Sequence, residues 1–416
     1  MSPPPPRITN VYIHAPFCAR RCCYCDFAVE VDRRPDSSRW LATIGAELHA
    51  LCASGEAPLA PELDTLYVGG GTPSLLEPWA IAGLGGLIEP RRLANPALEW
   101  TVEANPESFS EQTAAVWAAA GVNRVSFGVQ SFDPHALRRM GRLHSASDAR
   151  LAVERARAAG VANLSVDLIF GLPDHVRRSW KDDVARALDL EVPHISLYGL
   201  TVEKGTPLHR DVRRGRARMP AGERYRDEYL HAAETLSRAG YRHYEVSNFA
   251  LPGFASRHNR ACWEGSPYLG LGNGAHSYHE GRRWWNERDW AAYAEGITRS
   301  GRTRAGEEVL TAEQLRLESL WLGLRTMGGL EEERLEAEAA RPVLRRWEAE
   351  GLAQRTGGRI RLTPPGWLLL DELTVELESN LASPGIESGA GSAAGPALQD
   401  CTGPGARPAL PMHGGA

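Results

Sequence analysis

The chain has 416 residues, 43% apolar and 24% charged, enough for one large soluble domain with a smaller one beside it. Its net charge of −5 argues against a general nucleic-acid binder. No apolar run approaches the roughly 20 residues of a membrane span, and the start from Met1 to Arg7 lacks the apolar core of a signal peptide. The expectation is therefore a cytoplasmic protein with no integral membrane segment, whose seven cysteines stay reduced.

After a flexible start over residues 1–8, β-rich runs fall at Asn10–Ala15, Thr65–Val68, Glu99–Glu103, Arg124–Phe127, Leu164–Phe170 and His194–Leu200. Amphipathic stretches lie between and after them, at Trp40–Cys52, Ser110–Ala119, Ser145–Ala159, Val176–Leu190 and Ala221–Ala239. Gly121, Gly160 and Gly240 stand where helices stop. The alternation predicts βαβ units and an α/β fold: a partial parallel (β/α)6 barrel of the TIM type, with extensions, over residues 9–300.

Residues 301–380 read differently. A helix at Ala312–Leu324, two more within Glu331–Glu350, a hairpin ending in Arg359–Leu362 and a last helix give a winged-helix-like order. The acidic run Glu331–Glu336 is wrong for a DNA-reading helix, so packing or partner contact is expected. Residues 381–416 are rich in Gly, Ala, Ser and Pro and read as a disordered tail, with Cys401 in it and no role assigned.

Chemistry concentrates straight after the first strand. Cys18, Cys22 and Cys25 form C-x3-C-x2-C, and Cys23 breaks that spacing. A structural zinc site wants four ligands, and no second C-x2-C exists here. Three thiolates on a cubane of four irons leave one iron open to an exchangeable small molecule, so the spacing points to a [4Fe–4S] cluster. Arg20 and Arg21 favour the ionised thiolates.

Further polar residues lie in or just beyond the following strands. Gly69-Gly70-Gly71-Thr72-Pro73 follows the second strand, and its glycines let a backbone approach a ligand closely. Glu103 ends the third strand, Gln130 follows the fourth, and Arg142 comes twelve residues after Gln130. Asp167 interrupts the apolar fifth strand, where burial is costly unless it is paired. The C-terminal ends of parallel barrel strands are where such enzymes place their sites.

By C-x3-C-x2-C, by Gly69-Gly70-Gly71-Thr72-Pro73 and by Gly128-Val129-Gln130-Ser131-Phe132, the chain resembles the radical S-adenosylmethionine family. More narrowly it resembles the group of oxygen-independent coproporphyrinogen III oxidases and heme chaperones, over roughly residues 9–380 and with that group's type of C-terminal domain. The resemblance implies Cys18, Cys22 and Cys25 as cluster ligands. It implies Tyr12, Gly70 and Glu103 as contacts to S-adenosylmethionine on the cluster. It implies Tyr24, Gly71, Thr72, Gln130, Arg142 and Asp167 as contacts to a second S-adenosylmethionine described for the oxidases; whether this chain fills that second site stays open.

Two features resemble the chaperones. Phe27 stands where the oxidases carry a further cysteine, and His258-Asn259-Arg260-Ala261-Cys262-Trp263 is similar to the chaperones' H-N-x-x-Y-W, with Cys262 in the tyrosine position. Heme needs an apolar slot, an axial ligand and cations for its propionates. The stretch Arg257–Trp285 offers His258, Cys262 and His276 as ligands, Trp263 and Tyr268 as flat partners, and Arg257 and Arg260 as cations. The implied function is a chaperone that binds heme or porphyrin, carries the cluster with S-adenosylmethionine, and delivers heme to an acceptor protein that the sequence does not identify. The alternatives are oxidative decarboxylation of coproporphyrinogen III, and a protein-interaction module with a vestigial cluster.

Overall fold

The computed structural model describes residues 7–335 and 340–382. Cys401 and residues 383–416 lie outside the described residues, as do residues 1–6 and 336–339. Among the described residues no helix is long and apolar enough to cross a membrane.

Six strands occur where the sequence pattern puts them: β1 (Asn10–Ala15), β2 (Thr65–Gly70), β3 (Glu99–Ala104), β4 (Arg124–Gln130), β5 (Asn163–Phe170) and β6 (His194–Gly199). They pair in that order, all parallel, with Asn10 opposite Thr65 and Thr65 opposite Glu99. Their burial is nearly continuous, as strands covered on both faces require; every residue of β1 is buried. Five further strands and one more parallel strand extend the sheet to twelve. β7 (Arg242–Glu245) and β8 (Asn248–Ala250) join antiparallel beside β6. On the other side β9 (Tyr268–Leu271) runs parallel to β1, and β10 (His276–His279), β11 (Arg282–Asn286) and β12 (Arg304–Val309) follow antiparallel.

Helices cover the outside: α1 (Ser37–Ser54), α2 (Pro78–Leu87), α3 (Glu111–Ala120), α4 (Pro134–Met140), α5 (Ala146–Ala158), α6 (Trp180–Leu188), α7 (Pro207–Arg213) and α8 (Gly222–Arg238). The apolar faces of α1, α2, α3, α5, α6 and α8 share one core with the strands, including Trp40, Trp100, Trp117 and Phe127, whereas α4 and α7 pack with Tyr24 and Ile169 in a separate apolar cluster. Side-chain caps fix the starts. Ser145 and Asp148 form a reciprocal capping box on α5, and Ser179 caps α6, so that helix begins at Trp180 rather than Val176. Ile8 is buried and bridges to Leu59, tying the start of the described chain to the barrel.

Beyond β8 come α9 (Arg257–Trp263) and, after β11, α10 (Trp290–Ser300). The C-terminal part contains α11 (Ala312–Arg325), a two-residue strand at Leu330–Glu331, α12 (Ala340–Ala349), a hairpin of Ala353–Thr356 with Arg359–Leu362, and a final helix Leu370–Ala382. It has its own apolar core around Trp347, Ile360 and Leu377. Within Glu331–Glu350 only a 3-10 turn at Glu332–Leu335 and α12 are described, with 336–339 outside.

Candidate cofactor site at the barrel mouth

The loop after β1 is held from several sides. Phe17–Cys18 pairs with Glu30–Val31 in a short parallel ladder that closes the loop. Within it Cys18, Cys22 and Cys25 are half-buried and line one recess with Gly71, Thr72 and Arg142. Among the described residues no three His, Cys, Asp or Glu groups stand close enough to hold one metal ion. Thiols spread around a recess suit a cluster in which each binds a different iron. Burial pushes the Cys18 thiol up to about 11, against the pull of its Thr72 hydrogen bond, and the Cys25 thiol up to about 12. Both are neutral at pH 7 without metal, so the arginines of the loop do not outweigh burial, and ligation releases their protons. Cys23 faces elsewhere. Its thiol lies 3.5 Å from the Arg139 carbonyl of α4, and its own carbonyl accepts from Leu208 N of α7 at 2.8 Å.

The glycines after β2 are required by close approach. Gly70 has φ of +109°, and a Cβ there would lie 2.3 Å from the His14 ring; at Gly71 it would lie 2.7 Å from the Pro16 and Phe17 backbone. Glu103, at the end of β3, accepts from the Gly70 amide at 3.0 Å and from the Tyr67 hydroxyl at 2.7 Å. Burial raises its pKa, while these two bonds pull the other way.

A polar string runs from the fourth strand to the cluster loop. Arg142 donates to Gly128 O and to Asn105 Oδ1 (2.6 Å), Asn105 Nδ2 donates to Thr72 Oγ1 (3.1 Å), and Thr72 Oγ1 donates to Cys18 Sγ (3.6 Å). Arg142 also directs Nη1 at Cys22 Sγ, 3.9 Å away, and Tyr24 is buried beside it. Gln130 ends β4 at a bulge, with φ of +65°, in the left-handed region. It is fully buried, and neither end of its amide has a partner among the described residues. Asp167 is buried in the barrel, bonded to Ser126 at 3.2 Å and to Ser196; burial pushes it up to about 7. Tyr12 points its hydroxyl at His14 Nδ1 (3.0 Å), and His14 Nε2 holds the Ala28 carbonyl of the cluster loop (3.0 Å). The sequence pattern did not single out Asn105, Tyr67 or His14; Asn105-Pro106 directly after Glu103-Ala104 was the available signal.

His258 and Cys262 are not at this mouth. α9 lies under the N-terminal ends of the strands, where the Glu99 carboxylate accepts from Arg257 N and His258 N. Six strand residues, roughly 20 Å, separate that floor from the cysteine loop. Thr65 Oγ1 donates to Asn10 Oδ1 (2.9 Å) and so accepts from His258 Nδ1 (2.7 Å). His258 Nε2 is then unprotonated and has no partner among the described residues. Its ring lies 5.0 Å from Tyr67, and burial lowers its pKa to about 3. Cys262 lines a cavity of about 1260 Å³ between the floor and α11; His258 and His276 do not.

A Radical SAM superfamily model matches residues 12–187. The heme chaperone HemW of Mycobacterium tuberculosis (strain ATCC 25618 / H37Rv) is 39% identical over 383 residues, covering 89% of this chain and 95% of that protein. The heme chaperone HemW of Bacillus subtilis (strain 168) is 34% identical over 376 residues, covering 88% and 97%. Coproporphyrinogen III oxidase (HemN) from Escherichia coli, a radical SAM enzyme, superposes with a TM-score of 0.74 over 90% of each chain at 21% identity, a likeness of fold alone. The barrel with its cysteine loop and glycine-rich strand end defines a radical S-adenosylmethionine protein. Within that class, the chain belongs to the heme chaperone HemW family.

The cofactors of the class are a [4Fe–4S] cluster and S-adenosylmethionine, and the mouth fits them. Three thiols ring one recess, Gly70 and Gly71 line it without side chains, and Gln130 offers an unused buried amide.

Proposed function

We propose that this protein is a cytoplasmic heme chaperone that binds heme, carries a [4Fe–4S] cluster with S-adenosylmethionine, and passes heme to an acceptor protein. The observation that carries this reading is the 39% identity to heme chaperones over nearly the whole chain, C-terminal part included. Phe27, where the oxidases carry a further cysteine, favours it over the decarboxylase.

In this reading Cys18, Cys22 and Cys25 bind three irons, and the fourth iron supplies an open coordination position. Glu103, Gly70 and Tyr12 bind the S-adenosylmethionine at that position, Glu103 as a charged acceptor for its hydroxyls. Tyr24, Gly71, Thr72, Gln130, Arg142 and Asp167 form the neighbouring half of the same mouth. The unpartnered Gln130 amide, held in a left-handed backbone, supports a polar ligand there.

The test is anaerobic reconstitution of the full chain, followed by heme titration and a coproporphyrinogen III turnover assay on the same sample. Stoichiometric heme binding without decarboxylated product is the expected result. Product formation without a heme spectrum overturns the reading in favour of the oxidase, and absence of any cluster absorbance favours the interaction module.

A further inference from the structure

The turn between β9 and β10 lies directly against the cluster loop. Gly272 has φ of +98° and Gly274 of +66°, and both make close contacts. A Cβ on Gly272 would lie 2.7 Å from His14 O, and one on Gly274 would lie 2.7 Å from the Ala28 Cβ. Buried Glu47 of α1 fixes the turn from behind. Its carboxylate accepts from Gly272 N at 2.9 Å, and from Asn286 Nδ2 and the Tyr293 hydroxyl at 2.5 Å each. Asn286 Nδ2 also donates to Gly272 O at 2.9 Å, so the turn is held by both its amide and its carbonyl.

Donors from three parts of the fold reach from here to the segment after the third cysteine of the loop. Ala28 O and Arg288 O can only accept, so the amide nitrogen of Asn273 faces both, at 3.1 and 2.9 Å. Asn273 is 1% exposed. Arg288 is exposed, has no ion pair among the described residues, and donates from Nη2 to Asp26 O. From β1, His14 donates through Nε2 to the same Ala28 O; burial lowers its pKa to about 4, so its neutral ring accepts at Nδ1 from the Tyr12 hydroxyl. Phe27 lies between the two held carbonyls. Burial raises the Cys25 thiol, and the Phe27 amide, hydrogen-bonded to it, pulls the other way. The other two thiols are anchored elsewhere, Cys18 by Thr72 and Cys22 by Arg142. The backbone hydrogen bonds of Cys25 stay within the loop, to Cys22 O and from Arg21 Nε.

Resting on the assignment of Cys18, Cys22 and Cys25 as cluster ligands, we propose that Asn273 and Arg288 are positioning residues of the cluster: they clamp the backbone on both sides of Phe27 and hold its amide against the Cys25 sulfur. A hydrogen bond to a cluster sulfur favours the reduced, more negative cluster, so the brace raises the reduction potential and slows the loss of iron. The β9–β10 turn lies beyond residues 12–187 matched by the family model, and the cofactor site thereby extends to it.

The experiment uses the full chain after anaerobic reconstitution, as wild type, Asn273→Ala, Arg288→Ala and Arg288→Lys. It reads the midpoint potential, the rate of iron release to a chelator and, in the metal-free protein, trypsin cleavage at the exposed Arg20 and Arg21 of the loop. Asn273→Ala alters no charge. It is expected to show a more negative potential, faster cleavage and roughly two- to tenfold faster iron release, the worth of a neutral hydrogen bond. Arg288→Ala should release iron faster, and Arg288→Lys, which keeps a donor, should return toward wild type. A thermal melt reports the fold, and Arg288 is exposed, so its variants serve where Asn273→Ala fails to fold. Wild-type potential and iron release in folded Asn273→Ala and Arg288→Ala overturn the brace. An effect in one of the two alone removes the other residue from it, and release from Arg288→Lys as fast as from Arg288→Ala overturns donation by Arg288. A wild-type protein that assembles no cluster overturns the ligand assignment instead. The trypsin comparison then decides the brace: faster cleavage of Asn273→Ala supports it, and equal cleavage overturns it.

Discussion

Thr72 stands 3.6 Å from the sulfur of Cys18, close enough for its hydroxyl to donate to the thiolate once the thiol is ionised. The two residues are 54 apart in sequence and meet because β1 and β2 are paired in register and end together. Asn105 and Arg142 hold the threonine from behind. Hydrogen bonds to cluster sulfurs are one of the protein's controls on reduction potential. Thr72→Val keeps the shape and removes the donor. The cluster should assemble normally with a more negative midpoint potential, and an unaltered potential in an anaerobic redox titration rules this contact out.

The ligand assignment makes a sharper distinction among four adjacent cysteines. Cys18→Ala, Cys22→Ala and Cys25→Ala should each lose most of the iron, because two thiolates hold a cubane poorly. Cys23→Ala should retain it, since that thiol is directed at the Arg139 carbonyl. Iron analysis after anaerobic reconstitution decides. Iron lost from Cys23→Ala and kept by Cys25→Ala would reverse the assignment.

Glu103 serves two donors of its own protein, Tyr67 and Gly70, before any ligand arrives. Removing a charged acceptor costs about 1.5–3 kcal/mol, which corresponds to roughly ten- to hundred-fold in affinity. Glu103→Ala is therefore expected to keep its cluster and to bind S-adenosylmethionine more weakly by that factor. Unchanged affinity by equilibrium titration excludes the contact.

The barrel was legible because its strands are buried on both sides and read as continuous apolar runs, so β1 falls at Asn10–Ala15 in both sequence and structure. The helices α4 and α7 were not, since seven residues with three or four apolar positions carry too little period to stand out. The cysteine loop declared itself by spacing, whereas Asn105 and His14 act through hydrogen bonds across strands, which no local pattern encodes. His258 and Cys262 are neighbours in sequence with different fates. They stand one turn apart on the same face of α9, so the division is set by what packs against each turn: Thr65 of the barrel floor holds the histidine, while the cysteine lines the cavity.

Asp167 gives the fold a pH dependence of definite sign. Its pKa rises from an unfolded value near 3.9 to about 7, chiefly by burial. Between those values the folded state holds a proton that the unfolded state has released, so stability falls as pH rises from about 4 to 7. Asp167→Asn keeps partners for Ser126 and Ser196 without the charge. Its stability relative to wild type should improve between pH 5 and pH 8 by on the order of a few kcal/mol. Parallel pH profiles of the two proteins in urea denaturation would contradict this.

The backbone around Gln130, at the end of β4, is held in place by a residue of α6. Asp183 of α6 accepts from Phe132 N at 2.7 Å and from Ser131 Oγ at 2.8 Å, and its Oδ2 also pairs with Arg178, whose Nη2 donates to Ile169 O at 2.8 Å. One buried carboxylate thus ties the ends of β4 and β5 together and fixes the bend that places the Gln130 amide. Arg178 is 3% exposed, and without Asp183 its nearest carboxylate is Glu228 at 3.6 Å. Losing one partner of a buried pair commonly costs about 3–5 kcal/mol. Asp183→Ala should be destabilised by that amount, and Asp183→Asn by less, because the amide oxygen still accepts from Phe132 N. The expected ranking is wild type, then Asn, then Ala, in both urea midpoint and S-adenosylmethionine affinity. If Asp183→Ala binds S-adenosylmethionine as wild type does while losing stability, the carboxylate supports the fold without positioning Gln130.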